Sequence, residues 1–162
     1  MMSRLPLVAL GGTFDNLHRG HEALLKGAFR LGDTVIVGVT SDDFVRRSGK
    51  TGIQQFNQRQ GQVKAFLILH GLFCRTNLIT LDDAFGPTTS DPEIKALVVT
   101  AGTADRAAEV NRIREGKGLP LLSIHIIPYV MAADGRPISS TRIRNKEVDA
   151  KGNLTGIHPS TQ

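Results

Sequence analysis

The sequence predicts an α/β fold in which about five parallel strands are covered by helices on both faces. Short runs of β-branched and aliphatic residues, typical of strands buried on both sides, recur along the chain. Segments with apolar residues at helical spacing separate them, and this alternation is typical of parallel sheets. A chain of 162 residues suits one such domain. We expect that domain over residues 1–150, followed by a C-terminal tail over 151–162.

In the first half of the chain, glycines and capping residues separate clear strand and helix patterns. The run Thr34–Thr40 is rich in β-branched residues and predicts a buried strand. Ser41 precedes two aspartates, which is typical of a helix N-cap and first turn. The predicted elements are strand Leu5–Leu10, helix His21–Leu31, strand Thr34–Thr40, a short helix ending at Arg47, a polar loop over Ser48–Gln55 and helix Gln58–His70.

The second half continues the alternation. Gly116 and Gly118 end a polar helical pattern, and Ser139 or Ser140 is the predicted N-cap of the last helix. The predicted elements are strand Asn77–Leu81, loop Asp82–Pro92, strand Ala96–Thr100, helix Thr103–Glu115, strand Leu121–Val130 and the helix that begins after the serine cap.

Basic residues are concentrated at the two ends of the chain. Residues 1–60 hold eight basic and five acidic residues, and residues 136–162 hold five and two. This asymmetry favours an anionic partner, either a nucleic acid or a small phosphorylated molecule. The chain has few aromatic side chains on which the bases of single-stranded nucleic acid could stack: seven Phe, one Tyr and no Trp. We therefore expect no nucleic-acid partner.

Cysteine content and hydropathy exclude several classes of protein. Cys74 is the only cysteine, which excludes an intramolecular disulfide framework and a multi-cysteine metal site. No apolar run approaches the ~18 residues of a membrane span, and the run Leu5–Leu10 is too short for a signal peptide. We expect a cytoplasmic protein with no membrane partner. The oligomeric state does not follow from the sequence.

The loop after the first strand is the first candidate site, since ligands of parallel α/β folds bind at the carboxyl ends of strands. It reads GGTFDNLHRGH and ends at His21. Its glycines let an anion approach the backbone, and the helix that follows presents free N–H groups to the same space. His18 and His21 can both donate to phosphate oxygens, and Asp15 could hold the loop or cap the helix. A purely structural turn, or a zinc pair with no obvious third ligand, are the alternatives.

A second candidate segment, GRPISSTRIR, lies near the end of the chain. Three hydroxyl side chains, Ser139, Ser140 and Thr141, open a helix that carries Arg142 and Arg144. Hydroxyls and free amides at a helix start can bind phosphate, and arginine adds forked donors. Taken alone, the segment is more typical of an ordinary N-cap with a basic helix face.

Together the two segments, T-F-D-x-x-H-x-G-H and I-S-S-T-x-x-R, resemble the motifs of the nucleotidyltransferase superfamily marked by HxGH and ISSTxxR. That resemblance implies a Rossmann-like α/β fold. It also implies transfer of a nucleotidyl group from ATP or CTP with release of pyrophosphate. The positions that match the two motifs are Thr13, Phe14, Asp15, His18, Gly20, His21, Ser139, Ser140, Thr141 and Arg144.

The middle of the chain narrows this resemblance to one family. The segments Asp82–Thr88, Asn111–Arg114 and Asp134–Thr141 look like those of phosphopantetheine adenylyltransferases of the archaeal and eukaryotic type. The resemblance runs from about residue 7 to residue 149.

Two segments depart from that family's pattern. The family usually has an acidic residue in the turn after the fourth strand, where this chain has Thr100–Thr103. It also usually has a P-[FY]-E-E-R segment, where this chain has Gln55–Arg59. Lys50 still falls where the family places its substrate lysine.

The resemblance implies that ATP and 4′-phosphopantetheine are joined into dephospho-coenzyme A and pyrophosphate. His21 would stabilise charge on the α-phosphoryl group, His18 would hold the triphosphate, and Lys50 would bind the incoming phosphate. Mg²⁺ would arrive on ATP, since the sequence shows no dedicated carboxylate cage. The expected ATP-binding residues are Gly12, Thr13, Phe14, Asp15, His18, Gly20, His21, Ser139, Ser140, Thr141 and Arg144, and the expected phosphopantetheine-binding residues are Thr13 and Lys50.

Three other functions stay open at this point. The first is a related transferase, such as an FMN adenylyltransferase or a glycerol-phosphate cytidylyltransferase. The second is a nucleotide-binding module without catalysis. The third is a basic nucleic-acid-binding protein, which would bind DNA or RNA with strong salt dependence.

Overall fold

The computed structural model describes residues 3–156 of the chain. These residues form five strands and five helices. No helix among these residues is both long and apolar enough to cross a membrane. The elements are β1 (Leu5–Gly12), α1 (Arg19–Leu31), β2 (Gly32–Thr40), α2 (Asp42–Arg47), α3 (Phe56–Leu69), β3 (Thr76–Leu81), β4 (Ala96–Val99), α4 (Ala104–Gly116), β5 (Ser123–Ile126) and α5 (Ser140–Arg144), with short 3₁₀ turns over Phe73–Arg75, Gly86–Thr89 and Ala101–Thr103.

The strands form one parallel sheet in the order β3-β2-β1-β4-β5. This confirms the predicted Rossmann-like α/β architecture. The strand order reverses between β1 and β4, and such a switch point leaves a crevice beyond the carboxyl ends of the strands. The turn after β1 therefore opens into this crevice, and it is the loop predicted as the first candidate site.

Both faces of the sheet are covered by helices. Alternate side chains of a strand point to opposite faces. Val8 of β1 accordingly belongs to a buried cluster with Leu25 of α1 and Leu67 of α3. Its neighbour Ala9 belongs to a second cluster with Val110 of α4. The sheet is therefore the middle layer of three.

Several predicted elements differ from the observed ones at their ends, and two of these differences have a clear cause. The first helix begins at Arg19 rather than His21, because His18 acts as its N-cap. The fifth strand covers Ser123–Ile126 rather than Leu121–Val130. It is an edge strand whose partner β4 is only four residues long, and Pro128 has no N–H to continue a ladder.

The chain after the sheet packs around a third small cluster formed by Ala132, Ile138 and Val148. Residues 151–156 of the predicted tail take part in this unit. The Gly152 carbonyl accepts the N–H of Ala133 at 2.9 Å, and a side chain at Gly152 would come within 2.8 Å of Ile138. Residues 157–162 of that tail lie outside the described residues, and the boundary at 150 stays a prediction.

Candidate active site

The turn that follows β1 has an unusual backbone. Phe14 and Asn16 have φ angles of 54° and 47°, in a region that residues other than glycine rarely occupy. The ring of Phe14 is buried and lies 5.3 Å from that of His21 between centroids. A side chain at Gly12 would come within 3.2 Å of the same ring. The Phe14 side chain thus anchors the turn, so that its predicted contact with ATP would have to be made by its backbone.

His18 and His21 close the start of α1 by capping backbone groups. The Nδ1 of His18 accepts the N–H of Gly20 at 3.0 Å, and the Nδ1 of His21 accepts the N–H of His18 at 3.2 Å. The two rings are stacked, with 3.8 Å between centroids and an interplanar angle of 23°. A side chain at Gly20 would come within 2.8 Å of the His18 ring. The glycine is therefore required for the two rings to stack as they do.

Both histidines are neutral at neutral pH. Burial lowers the pKa of His18 to about 4, although the nearby Asp15 opposes this shift. Burial, reinforced by His18, lowers the pKa of His21 to about 3. Because each Nδ1 accepts a hydrogen bond, this pattern assigns the proton of each ring to Nε2. The start of α1 therefore offers two neutral N–H donors rather than two positive charges.

Asp15 lies at the centre of the hydrogen bonds that hold the turn. Its side chain is buried, and Oδ1 accepts the backbone N–H of Gln54 at 2.8 Å. Its Oδ2 accepts from the side chain of Asn16 at 3.1 Å and from Arg144 at 2.5 Å. Its backbone carbonyl accepts the hydroxyl of Ser140 at 2.6 Å. These bonds join the turn to α5 and to the segment before α3.

Two hydroxyl groups of the second motif, those of Ser139 and Thr141, are engaged in local bonds. Ser139 is the N-cap of α5, where its Oγ accepts the N–H of Arg142 at 3.1 Å, and the predicted serine cap is confirmed. The Oγ1 of Thr141 accepts from Arg144 at 3.2 Å. A phosphate that bound here would meet these hydroxyls after they exchange partners, together with the free amides of the helix start.

The two arginines of α5 have different surroundings. Arg142 is 11% exposed and forms ion pairs with Asp134 and Glu147. It also donates to the carbonyl of Pro137 at 3.0 Å, so it fastens the loop that leads into the helix. Arg144 is 28% exposed and pairs with Asp15 at 2.5 Å. Arg144 is therefore the more exposed of the two and lies beside the turn after β1, whereas Arg142 is held by ion pairs and hydrogen bonds within the fold.

Lys50 lies in the loop between α2 and α3, beside the turn after β1. Its Nζ is 3.3 Å from the Oγ1 of Thr13. The pKa of Lys50 is lowered, first by desolvation and then by the charges of Arg106, Arg144 and Arg59. We call Lys50, Arg106 and Arg144 the cationic rim. Positive charges from three separate segments thus meet beside the turn after β1, an arrangement that favours an anionic ligand.

Arg59 holds the segment that carries Lys50. It is fully buried and donates to the backbone carbonyls of Gln54, Thr13 and Thr40 at 2.8 to 2.9 Å. It also pairs with Asp42 at 3.0 Å. The pKa of Asp42 is lowered, first by the backbone N–H of the residue at the start of α3 and also by Arg59. This arginine and Phe56 are the two residues of the P-[FY]-E-E-R pattern that the chain retains.

A cavity of about 400 Å³ opens beside the cationic rim. It lies between the sheet and α4, and it exists partly because Gly11 and Gly38 have no side chains. A side chain at Gly38 would come within 2.6 Å of Leu81. The cavity thus combines a charged mouth with an apolar interior. Its lining includes Thr13, Lys50 and Arg106 at the mouth and Ala9, Ile36, Ile79, Leu97, Val99 and Val110 in the interior.

The structure brings the predicted site residues of both motifs together. Sequence reasoning did not assign the positioning role of Arg59 or the place of Arg106 in the cationic rim. The retained arginine of the family pattern was a signal for Arg59, and Gly38 inside a β-branched strand was a signal for close approach or a cavity. Arg106 carried no signal, because it lies on a polar helix among other charged residues.

Two further points concern metal binding and the turn after the fourth strand. Within residues 3–156, no group of three or more His, Cys, Asp or Glu side chains is arranged to hold a metal ion. The family usually has an acidic residue in the turn Thr100–Thr103. Here the turn is closed by its two threonines, since the side-chain oxygen of each accepts the backbone N–H of the other. Contacts with an adenine base at this turn stay untested.

Comparison with known proteins agrees with these observations. A family model described as cytidylyltransferase-like matches residues 9–146. A protein of Methanopyrus kandleri named phosphopantetheine adenylyltransferase is 45% identical, over 91% of this chain and 94% of that protein. A protein of the same name from Methanothermobacter thermautotrophicus is 42% identical, over 95% of this chain and 92% of that protein.

Solved structures resemble the fold as well. A crystal structure of a protein with unknown function from Archaeoglobus fulgidus superimposes with a TM-score of 0.67 at 29% identity, and it covers 75% of this chain and 88% of that one. A tyrosyl-tRNA synthetase from the same organism superimposes with a TM-score of 0.62 at 13% identity, over 86% of this chain and 60% of that one. The second likeness bears on the fold alone.

Proposed function

Because the chain belongs to the cytidylyltransferase-like nucleotidyltransferases, and among them to the phosphopantetheine adenylyltransferase family, we propose that it transfers AMP from ATP to 4′-phosphopantetheine. An oxygen of the acceptor's phosphate attacks the α-phosphorus of ATP. The bond from that phosphorus to the bridging oxygen of the β-phosphate breaks, and pyrophosphate leaves. The product is dephospho-coenzyme A, so that the enzyme serves coenzyme A biosynthesis.

The observation that carries the proposal is the position of the cavity. It opens on Thr13 and Lys50, immediately beside the turn that holds His18 and His21. A cationic mouth suits a phosphate group, and an apolar interior suits the largely uncharged arm of a pantetheine. An acceptor seated there would present its phosphate to a nucleotide lying on the start of α1.

The chemistry needs alignment and charge neutralisation rather than a nucleophilic side chain. Neutral histidines suit alignment because each Nε2–H can donate a hydrogen bond to a phosphate oxygen without transfer of its proton. We assign His21 to the α-phosphoryl oxygens, where negative charge develops in the transition state, and His18 to the triphosphate beside it. The stacked rings and their capping bonds hold both donors in one orientation.

Permanent positive charge comes from Arg144 on α5. Arg144 would hold the β- and γ-phosphates that leave, with the hydroxyls and free amides at the start of α5. Mg²⁺ would enter on ATP as part of the substrate and neutralise the charge of its phosphates. The remaining expected ATP contacts are Gly12, Thr13, Phe14, Gly20, Ser139, Ser140 and Thr141.

Lys50 and Thr13 would bind the acceptor. Their side chains lie 3.3 Å apart at the mouth of the cavity, and Arg106 adds a second cation there. Lys50 would neutralise the incoming phosphate and lower its repulsion from ATP. A cytoplasmic location is part of the proposal, since ATP is the nucleotide donor and a single exposed thiol suits a reducing compartment.

A substrate panel tests this function. Pyrophosphate release from ATP is measured with 4′-phosphopantetheine, with FMN, with glycerol 3-phosphate and with no acceptor, and CTP replaces ATP in a parallel series. We expect release only with ATP and 4′-phosphopantetheine, together with formation of dephospho-coenzyme A. Release with another acceptor alone would indicate a related transferase. Binding of ATP without release under any condition would indicate a nucleotide-binding module.

A further inference from the structure

One carboxylate is hydrogen-bonded to both substrate subsites. Asp15 is 3% exposed. Its Oδ2 accepts from Arg144, which lies on the nucleotide side, at 2.5 Å. Its Oδ1 accepts the N–H of Gln54, which ends the segment that carries Lys50, at 2.8 Å. The residue therefore touches a structural element of each subsite.

Two further bonds reinforce the same junction. The backbone N–H of Asn16 donates to the Oε1 of Gln54 at 2.8 Å. The hydroxyl of Ser140 donates to the backbone carbonyl of Asp15 at 2.6 Å. Each neighbouring segment is thus attached to the turn by two bonds, and a shift of either segment changes the surroundings of the same carboxylate.

Asp15 is poorly suited to touch ATP itself. A buried carboxylate would repel a polyphosphate, and both of its oxygens already accept hydrogen bonds from the protein. Its influence on the reaction must therefore pass through the groups that it holds. This is the role of a positioning residue.

The segment that carries Lys50 has little else to hold it on the solvent side. Residues 48–52 are exposed, and Gly49 and Gly52 adopt positive φ angles of 79° and 71°. Fixing such a segment costs conformational entropy. When one ligand has fixed the junction, the other ligand meets a segment that is already ordered.

We propose that Asp15 couples the two subsites, so that a nucleotide and 4′-phosphopantetheine each bind more tightly in the presence of the other. The coupling rests on the proposed function, because it names the two substrates of that reaction. Linkage requires that the enhancement be the same in both directions. We expect a factor of at least about fivefold, at the lower end of measured couplings between sites.

The experiment measures the Kd of 4′-phosphopantetheine by calorimetry, with and without saturating α,β-methylene-ATP, which cannot release pyrophosphate. The full chain is compared with Asp15→Asn, which keeps the side-chain size and removes the charge that holds Arg144. We expect the ratio of the two Kd values to fall from at least about fivefold in the unchanged chain to near one in this variant.

A second variant keeps the test decisive if Asp15→Asn folds poorly. Gln54→Ala removes the bond from Asn16 and leaves Arg144 in place. We expect it to weaken the coupling and the binding of 4′-phosphopantetheine while the Kd of the nucleotide stays unchanged. The matched control is Asp43→Asn, which removes an exposed Asp–Arg pair with Arg46 on α2 and should keep the coupling of the unchanged chain.

Two results would overturn the coupling: equal Kd values with and without the nucleotide in the unchanged chain, or full coupling in both Asp15→Asn and Gln54→Ala. Turnover is measured on the same preparations. A chain that binds both ligands but forms no dephospho-coenzyme A would contradict the proposed function instead, so the two failures are distinguishable.

Discussion

The turn after β1 and the cationic rim both face the crevice, and they are built in opposite ways. The turn comes from one short stretch of chain, and its donors, His18 and His21, are buried and neutral. The rim comes from three distant segments, and Arg106 and Arg144 contribute guanidinium groups to it. The histidines are held by capping bonds, whereas Arg144 is held by an ion pair.

The difference indicates a division of labour. Fixed neutral donors are best used where charge appears during the reaction, because they need no rearrangement at that moment. Permanent positive charges are best used where a substrate is already anionic, because they stabilise the bound substrate as well as the transition state. Loss of a donor from the turn should therefore affect turnover, and loss of a charge from the rim should affect binding.

The largest effect is expected from His21→Ala. Removal of one preorganised donor to a transition state typically lowers kcat by about 10²–10³-fold. The affinity for ATP should change much less, since His18, the start of α1 and Arg144 remain. Steady-state kinetics and nucleotide titration measure the two quantities, with the exposed His70→Ala as control. Near-normal kcat in a folded His21→Ala variant would disprove the assignment.

Lys50→Ala should act on the acceptor. A hydrogen bond to a charged group contributes about 1.5–3 kcal/mol, so the KM for 4′-phosphopantetheine should rise roughly 10- to 100-fold. Binding of ATP should be nearly unchanged. The control is Lys26→Ala on the exposed side of α1. Calorimetry that showed equal losses for both ligands would contradict the placement of Lys50 on the acceptor side.

A pair of variants on α5 separates its two arginines. Arg144→Gln should raise the KM for ATP on the order of tenfold, because it removes a charge-assisted contact with a phosphate. Arg142→Gln should leave that KM unchanged and lower the Tm, because Arg142 pairs with Asp134 and Glu147. Thermal unfolding and kinetics are measured on both. The reverse pattern would show that the roles are exchanged.

The pH dependence of stability tests the neutral histidines. Their pKa values are lowered from 6.5 to about 4 and about 3 in the folded chain. Between those values and 6.5 the unfolded state binds more protons, so the free energy of unfolding must fall as the pH is lowered through this window. The loss should be on the order of 1 to 2 kcal/mol for each histidine between pH 7.5 and 5.

Urea unfolding at the two pH values measures this loss. The double variant His18→Asn/His21→Asn, whose amide oxygens can still accept the capping N–H groups, should show a smaller dependence on pH. Carboxyl groups such as Asp42 lose their contribution only at lower pH, since an ordinary carboxyl titrates near 3.8. An unchanged slope in the double variant would show that the histidines are charged in the folded chain.

Much of the fold could be predicted from local patterns. The five parallel strands and the serine caps of α2 and α5 follow from runs of β-branched residues and from Ser41 and Ser139. The end of β5 could not be predicted, because its length depends on the four residues of its partner β4. The role of Arg59 could not be predicted, since three of the four groups that it joins lie 17 to 46 residues away in the sequence.

By itself, the sequence determined the layered architecture, the family and the two motifs that flank the crevice. These follow from local spacing, because alternation, helix starts and turn glycines act over a few residues. Only the tertiary structure decided that the histidines are neutral, that Arg142 serves the fold while Arg144 lies beside the turn after β1, and that Asp15 is bonded both to α5 and to the segment before α3. Burial and ion pairing depend on what the rest of the chain brings alongside, and that is set by packing across the whole sheet.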